Sequence, residues 1–178
     1  MVKTVVISNL WYPWPGASMV LSIVFRREEP EVIVLNGDTT YCRREQECPH
    51  VLDALETIRA AAPWADIVYI PGDIDPHASK CIKQNPIFRR EVTVAETYIV
   101  ETINASYYIT HGHQAREDEL RKKLKLGPWD WLVLGHSSRL EENPLTRVIH
   151  VGGLGLYTPP ALQGYLVIED KGHILKKL

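Results

Sequence analysis

Val32–Asp38 reads VIVLNGD, an apolar, β-branched run that ends in a Gly-Asp pair. Such a run is typical of a strand buried on both faces of a parallel sheet. The chain repeats the arrangement at Ile67–Ile70, an apolar run followed closely by Gly72-Asp73. In open α/β sheets, ligands bind beyond the carboxyl ends of the strands. The two aspartates therefore mark one edge of a sheet as a candidate site.

The first half of the chain alternates strand and helix patterns. Val2–Ile7 is another apolar run, and Ala17–Glu28 places its apolar residues on one helical face. A second helical pattern follows Pro49, before the strand at Ile67–Ile70. This order with short loops predicts a parallel sheet covered by helices.

The second half is richer in short strands. We expect Val92–Val94 and Tyr98–Val100 to be antiparallel strands, and Ala115–Leu126 to be a charged amphipathic helix. Tyr107–Thr110 and Trp131–Leu134 are strand patterns that end at histidines. The remaining strand patterns are Arg147–Val151, Gly164–Ile168 and His173–Lys177.

Composition indicates an ordinary globular protein. The 178 residues are 45% hydrophobic and 24% charged, with a net charge of −2. We expect residues 1–178 to form a single domain, because no linker or repeat interrupts them. The charge gives no strong nucleic-acid signal. The apolar start is too short for a signal peptide, and no run approaches the roughly 20 residues of a membrane span, so we expect a cytoplasmic protein without membrane contact.

Three cysteines, Cys42, Cys48 and Cys81, are too few for a disulfide framework. Cys42 and Cys48 flank a short charged loop, and they are either two free thiols or, in a hyperthermophile, a disulfide. A metal cluster of Cys42, Cys48 and His50 would match no usual zinc spacing.

Polar residues follow five of the expected strands. They are Asn9, Asp38, Asp73, His111 and His136. Because parallel strands end at a common edge, these side chains are expected to converge. Two carboxylates and two imidazoles suit a divalent ion such as Zn or Fe.

The order of the motifs resembles the calcineurin-like metallophosphoesterases, most closely their small prokaryotic phosphodiesterases. The matching motifs are Gly37-Asp38, Gly72-Asp73-Ile74-Asp75, His111-Gly112-His113 and Gly135-His136-Ser137-Ser138. The resemblance implies an α/β (α+β) fold, a four-layer α-β-β-α sandwich of two mixed sheets. It also implies a divalent metal ion (Mn, Zn, Fe or Ni) and a phosphoester or nucleotide substrate.

The resemblance assigns roles to single residues. Asp38 matches the bridging carboxylate, and Asp73 stands where the family has an asparagine ligand. His111 and His136 match two further ligands of the same metal. Ile74 occupies the place of a histidine that protonates the leaving group in many members.

The remaining candidates have weaker assignments. Asp75 matches the acidic residue that closes its motif, and His113 is expected either to support the site or to be purely structural rather than to bind the ion. Arg139, Lys80 and Arg43-Arg44 are candidate phosphate-binding cations, with solvated surface charge as the alternative.

The departures from the family pattern fall on one metal. Asn9, Trp11 and Ser138 stand where the family has the private ligands of a second ion. We therefore expect one ion per chain, or an adapted empty site. One divalent ion with two carboxylates is roughly neutral, which predicts weaker polarisation of phosphate.

Two functions follow from these observations. The first is a metal-dependent phosphodiesterase or phosphatase with weak or specialised activity. The second is a catalytically inactive binding or scaffold protein of the same fold, as in a subunit of the retromer complex. The segment Tyr12–Gly16, made aromatic by Trp11, Tyr12 and Trp14, is either a surface that stacks a ligand or binds a partner, or a rigid loop whose aromatic side chains cover the sheet. A protein partner or a homo-oligomer is compatible with either function.

Overall fold

The computed structural model describes residues 2–178 and contains two sheets. In the first, strands β1 to β4 run parallel, whereas β10 and β11 form an antiparallel extension. Its spatial order is β11 (Gly172–Lys177), β10 (Gly164–Glu169), β1 (Thr4–Ile7), β2 (Val32–Asn36), β3 (Asp66–Ile70) and β4 (Val92–Val94).

The second sheet has a parallel centre and antiparallel edges. Its spatial order is β5 (Tyr98–Glu101), β6 (Ser106–Thr110), β7 (Trp131–Leu134), β9 (Val148–Val151) and β8 (Leu140–Asn143). Within residues 2–178, five α-helices accompany the sheets. They are α1 (Ala17–Glu28), α2 (Cys48–Ala61), α3 (Ala78–Gln84), α4 (Phe88–Glu91) and α5 (Glu117–Lys123).

Three apolar clusters hold the layers together. In the first, α1 and α2 pack on one face of the first sheet, for example Leu21 and Leu55 with Ile33. In the second, the two sheets face each other, as at Val34 and Val133. In the third, Leu120 of α5 packs on the outer face of the second sheet. Successive side chains of a strand point to opposite faces of its sheet, so each sheet packs against helices on one face and against the other sheet on the other. The result is the expected four-layer sandwich of two mixed sheets.

Several expectations about elements are corrected. Val92–Val94 pairs parallel with β3, with Val92 opposite Ile67, because the unpredicted helices α3 and α4 carry the chain across. Strand β8 was also not predicted. Helix α5 is shorter than expected: the backbone is extended at Arg116 and turns left-handed at Lys125 (φ 55°).

The cysteine prediction is corrected as well. Cys48 forms a disulfide with Cys81, 33 residues away, and Cys42 is a buried free thiol. Because α3 was not predicted, sequence proximity favoured Cys42 as the partner. The Cys42 Sγ lies 3.7 Å from the Cys81 Sγ, so the three cysteines do meet, whereas His50 is exposed.

Between residues 2 and 178, every helix is too short or too polar to cross a bilayer.

Candidate metal centre

Four candidate ligands lie at the carboxyl ends of four strands. Asp38 follows β2, Asp73 follows β3, His111 follows β6 and His136 follows β7. Each offers one donor atom, and these atoms all lie within 4.8 Å of one another. The two sheets thus contribute one carboxylate pair and one imidazole pair to a common point.

The four side chains contact one another directly. The Nε2 of His111 is 3.4 Å from the Oδ1 of Asp38 and 3.3 Å from the Oδ1 of Asp73. The Nδ1 of His136 is 3.0 Å from the same Asp73 oxygen. His111 and Asp38 are 0% and 6% exposed, whereas Asp73 and His136 are 39% and 49% exposed. The cluster therefore has a buried floor and a side open to solvent.

The orientation of His111 suits a metal ligand. Its Nδ1 lies 2.9 Å from the backbone carbonyl oxygen of Asn36, which can only accept a hydrogen bond. The Nδ1 proton is thereby fixed, and Nε2 faces the carboxylates. A carbonyl behind the ring is the usual support of a ligating histidine. Burial acts to lower the pKa of His111, but Asp38 and the Asn36 carbonyl outweigh it and raise the pKa.

Two glycines make room for this arrangement. A Cβ on Gly37 would collide with the His111 ring, and Gly37 has a positive φ of 77°. A Cβ on Gly72 would collide with the Asp38 carboxylate. The glycine of each Gly-Asp pair is therefore needed because the ligands approach the backbone so closely.

Asp75 is a buried support of the two aspartate loops. Its Oδ2 accepts hydrogen bonds from the Tyr69 hydroxyl at 2.6 Å and the Thr39 backbone N–H at 2.9 Å, and its Oδ1 accepts one from the Gly72 N–H. Burial raises the pKa of Asp75, with a further contribution from Asp38. Asp75 thus ties the loop of Asp38 to the loop of Asp73 and lies outside the four-donor group.

Asn9 and Trp11, two of the positions where the ligands of a second ion are expected to be missing, make other contacts. Asn9 is buried, and its amide donates to the carbonyl oxygens of Gly135 and Gly152 at 2.7 and 3.1 Å. The backbone N–H of Trp11 donates to the backbone carbonyl of Asp38, and the Trp11 ring packs edge-on against Tyr157 with centroids 5.7 Å apart. The Asn9 amide is therefore engaged by two backbone carbonyl oxygens, and the Trp11 ring by an aromatic contact.

The other candidates lie at the rim. His113 is outside the four-donor group, with its ring centroid 5.4 Å from that of His111 and 6.3 Å from that of His136. Ser138 is exposed. Arg139 is also exposed and pairs with Glu141 at 3.1 Å.

A cavity of about 380 Å³ lies beside the cluster, with His111 and His136 in its wall. Ser137, His150 and Glu117 also line it and form a hydrogen-bonded chain. Sequence reasoning missed these three residues. The one available signal was a histidine within the apolar run Val148–Val151, which is unusual for a buried strand.

Comparisons with known proteins find similarity in solved structures. No protein-family model matches the chain, and no curated protein matches it. A solved structure described as a novel archaeal phosphodiesterase is 19% identical, with a TM-score of 0.64, and the match covers 98% of this chain and 99% of that one. A Thermotoga maritima protein is 19% identical, with a TM-score of 0.58 and full coverage of both chains. Vps29 of Chaetomium thermophilum is 15% identical, with a TM-score of 0.52, covering 99% and 95%.

These similarities establish the architecture. The chain has the fold of the calcineurin-like metallophosphoesterases over its whole described length, as its motifs predict. At such identities the likeness concerns the fold, and function has to be argued from the site.

Proposed function

We propose that this protein is a metal-dependent phosphoric ester hydrolase, a phosphodiesterase in the first place, that holds one divalent ion. Its ligands are Asp38, Asp73, His111 and His136. The observation that carries the proposal is the convergence of these four donor atoms within 4.8 Å, with the His111 ring fixed from behind by Asn36. A mixed set of carboxylates and imidazoles suits Mn, Zn, Fe or Ni.

A divalent ion at this point would supply a water of lowered pKa and a Lewis acid for the phosphoryl oxygen. The chain's own contribution is positional. Asp75 and the Asn36 carbonyl hold Asp38, Asp73 and His111 before any ion arrives. Pre-arranged ligands reduce the ordering that binding would otherwise require.

The centre holds one ion, because the side chains that would bind a second ion are missing. Asn9 has both amide hydrogens engaged by carbonyl oxygens, and Trp11 and Ser138 bring neither carboxylate nor imidazole. With Asp38 and Asp73, a single divalent ion gives a nearly neutral centre, which supports specialised rather than broad activity.

The substrate is a small phosphodiester or a nucleotide. The cavity beside the ligands, about 380 Å³, is within the usual range for small-molecule sites. Three of the cations considered as phosphate clamps have other partners: Lys80 pairs with Glu45 at 2.9 Å, Arg139 pairs with Glu141 at 3.1 Å, and Arg43 lies over the Tyr41 ring. Phosphate binding is therefore assigned to the ion and the cavity wall.

We also propose that the protein is cytoplasmic. The Cys48–Cys81 disulfide is compatible with it in a hyperthermophile, where intracellular disulfides occur.

The test is hydrolysis of bis(p-nitrophenyl) phosphate by protein loaded with Mn²⁺, Zn²⁺ or Ni²⁺. Asp38→Ala and His111→Ala should abolish turnover, whereas His50→Ala, which removes an exposed histidine of α2, should retain it. Turnover that is unchanged in Asp38→Ala would contradict the proposal. Absence of turnover with every metal would favour the binding-protein alternative.

A further inference from the structure

A chain of three hydrogen-bonding side chains forms one wall of the cavity beside the candidate metal centre. The Oγ of Ser137 lies 2.7 Å from the Nδ1 of His150, and the Nε2 of His150 lies 3.1 Å from the Oε1 of Glu117. The three residues come from the end of β7, from β9 and from α5. Residues that are far apart in the amino-acid sequence thus form one hydrogen-bonded chain of serine, histidine and carboxylate.

The environment of His150 defines which nitrogen carries a proton. Its side chain is 7% exposed, and both ring nitrogens have partners. An ionised Glu117 can only accept, so Nε2 carries the proton of the neutral ring, and Nδ1 then accepts from the Ser137 hydroxyl. When the ring takes up a second proton, Nδ1–H donates to Ser137 instead. The Ser137 hydroxyl proton is then free to point into the cavity.

Ser137 lines the cavity that also has the two candidate histidine ligands, His111 and His136, in its wall. Ser137 directly follows the ligand His136, and both line the same cavity. The place that the resemblance gives to a leaving-group acid is held by Ile74, which is 7% exposed and has no side-chain proton to give. A hydrolase of unactivated phosphodiesters needs such a donor, because an alkoxide is a poor leaving group.

We infer that Ser137 donates the leaving-group proton and that His150, held by Glu117, supplies it. The inference rests on the proposed function. The substrate class is a phosphodiester with an alkyl or sugar leaving group, whose leaving part occupies the cavity against the apolar side chains of Ala115 and Leu134. Ser137 touches the substrate, whereas His150 and Glu117 act through it.

The proton transfer balances without a further reagent. Water forms the new bond to phosphorus and loses one proton to solvent. The bond from phosphorus to the leaving oxygen breaks, and its electron pair stays on that oxygen, which takes the Ser137 hydroxyl proton. Ser137 takes the Nδ1 proton of His150, and solvent reprotonates His150. The net reaction converts a phosphodiester and water into a phosphomonoester and an alcohol.

The alternative is a purely structural wall, in which His150 only joins β9 to α5 through Glu117. The two roles differ in their dependence on the leaving group. Loss of an acid matters greatly for an alkoxide and little for a nitrophenolate, which leaves without a proton. A structural defect should lower turnover of both kinds of ester alike.

The experiment measures kcat at saturating Mn²⁺ on three phosphodiesters: bis(p-nitrophenyl) phosphate, methyl p-nitrophenyl phosphate and a dialkyl phosphate. Ser137→Ala, His150→Gln and Glu117→Gln should lose about 100-fold or more in kcat on the dialkyl diester, the usual contribution of a general acid. The same variants should lose little kcat on the two nitrophenyl esters, because nitrophenolate leaves without a proton. Ser18→Ala, an exposed serine of α1, should match the original protein on every ester. Glu117→Gln keeps the size of a half-exposed side chain, so it remains informative if His150→Gln fails to fold.

A second readout needs neither metal nor turnover. Nitrogen-15 NMR of the metal-free protein, recorded where the His150 ring is neutral, should show the ring proton on Nε2, and Ser137→Ala should shift the Nδ1 resonance. A proton on Nδ1 of the neutral ring would overturn the inference. Equal losses on all esters, or no loss on any, would also overturn it while leaving the proposed function intact. A parent protein that cleaves no ester would reject both.

Discussion

The side-chain amide of Asn9 donates to the backbone carbonyl of Gly135 at 2.7 Å and so joins the end of β1 to the end of β7. The same amide donates to Gly152. A residue that stands in a ligand position therefore cross-links the edge of both sheets.

Asn9→Asp should destabilise the protein without creating a second metal site. A carboxylate would meet two carbonyl oxygens in a buried place and lose both donated hydrogen bonds, at a cost of about 2–4 kcal/mol. Chemical denaturation measures this change. Asn104→Asp is the control, because Asn104 is exposed and donates one similar bond to Lys171. Equal stability of Asn9→Asp and the parent would contradict the assignment.

Asp75→Asn should weaken metal binding although Asp75 is not expected to touch the ion. The amide presents hydrogens to groups that now donate to Asp75, so the loops of Asp38 and Asp73 lose a shared anchor. Loss of such support typically costs about 10–100-fold in metal affinity. Calorimetric titration with Zn²⁺ or Mn²⁺ measures it, and the exposed Asp53→Asn on α2 is the control. An unchanged Kd would show that the loops hold their positions alone.

Unfolding without reductant should expose a single thiol per chain. Cys42 is buried in the folded protein and Cys48 is bonded to Cys81, so a thiol reagent should detect Cys42 after denaturation and all three cysteines after reduction. Three thiols before reduction would contradict the disulfide. Replacing Cys48 and Cys81 by serine should cost about 3–4 kcal/mol, the loop-closure value for a separation of 33 residues.

Glu28 should contribute to the fall of stability in acid. Burial acts to raise the pKa of Glu28, but hydrogen bonds from Lys176 and Tyr165 outweigh it and hold the pKa below its ordinary value. A carboxyl group with a lowered folded-state pKa stabilises the protein fully above its unfolded pKa of about 4.3, and this contribution is lost as the pH falls through the folded value.

Glu28→Gln should therefore be less stable than the parent at pH 7, by about 1–3 kcal/mol, and the difference should shrink as the pH falls below about 5. Urea denaturation over this pH range is the measurement. Glu101→Gln, at an exposed residue of β5, should show no such convergence. A gap between Glu28→Gln and the parent that stays constant down to pH 3 would contradict the role of the Glu28 carboxylate.

The convergence of the four candidate ligands could be predicted because strand ends are visible in sequence. Asp38 and His136 follow apolar runs, and a parallel sheet brings such ends together whatever the loops do. The Ser137–His150–Glu117 chain could not be predicted, since it depends on where α5 and β9 face each other. Cys81 was missed as a disulfide partner for a similar reason, because a short helix with few periodic residues carries it.

The role of Asn9 shows a further limit of sequence. Its place in the motif predicts that a ligand is missing there, but the carbonyl oxygens that its amide meets belong to residues more than 100 positions away. Such contacts follow from tertiary packing alone.

Elemental analysis of the purified protein after metal loading and removal of free ions tests the central claim most directly. We expect close to one Mn, Zn, Fe or Ni ion per chain, lost in His136→Ala and retained in His50→Ala. Two ions per chain would contradict the assignment of Asn9, Trp11 and Ser138 as non-ligands. No bound ion, or an ion that His136→Ala retains, would contradict the metal centre itself.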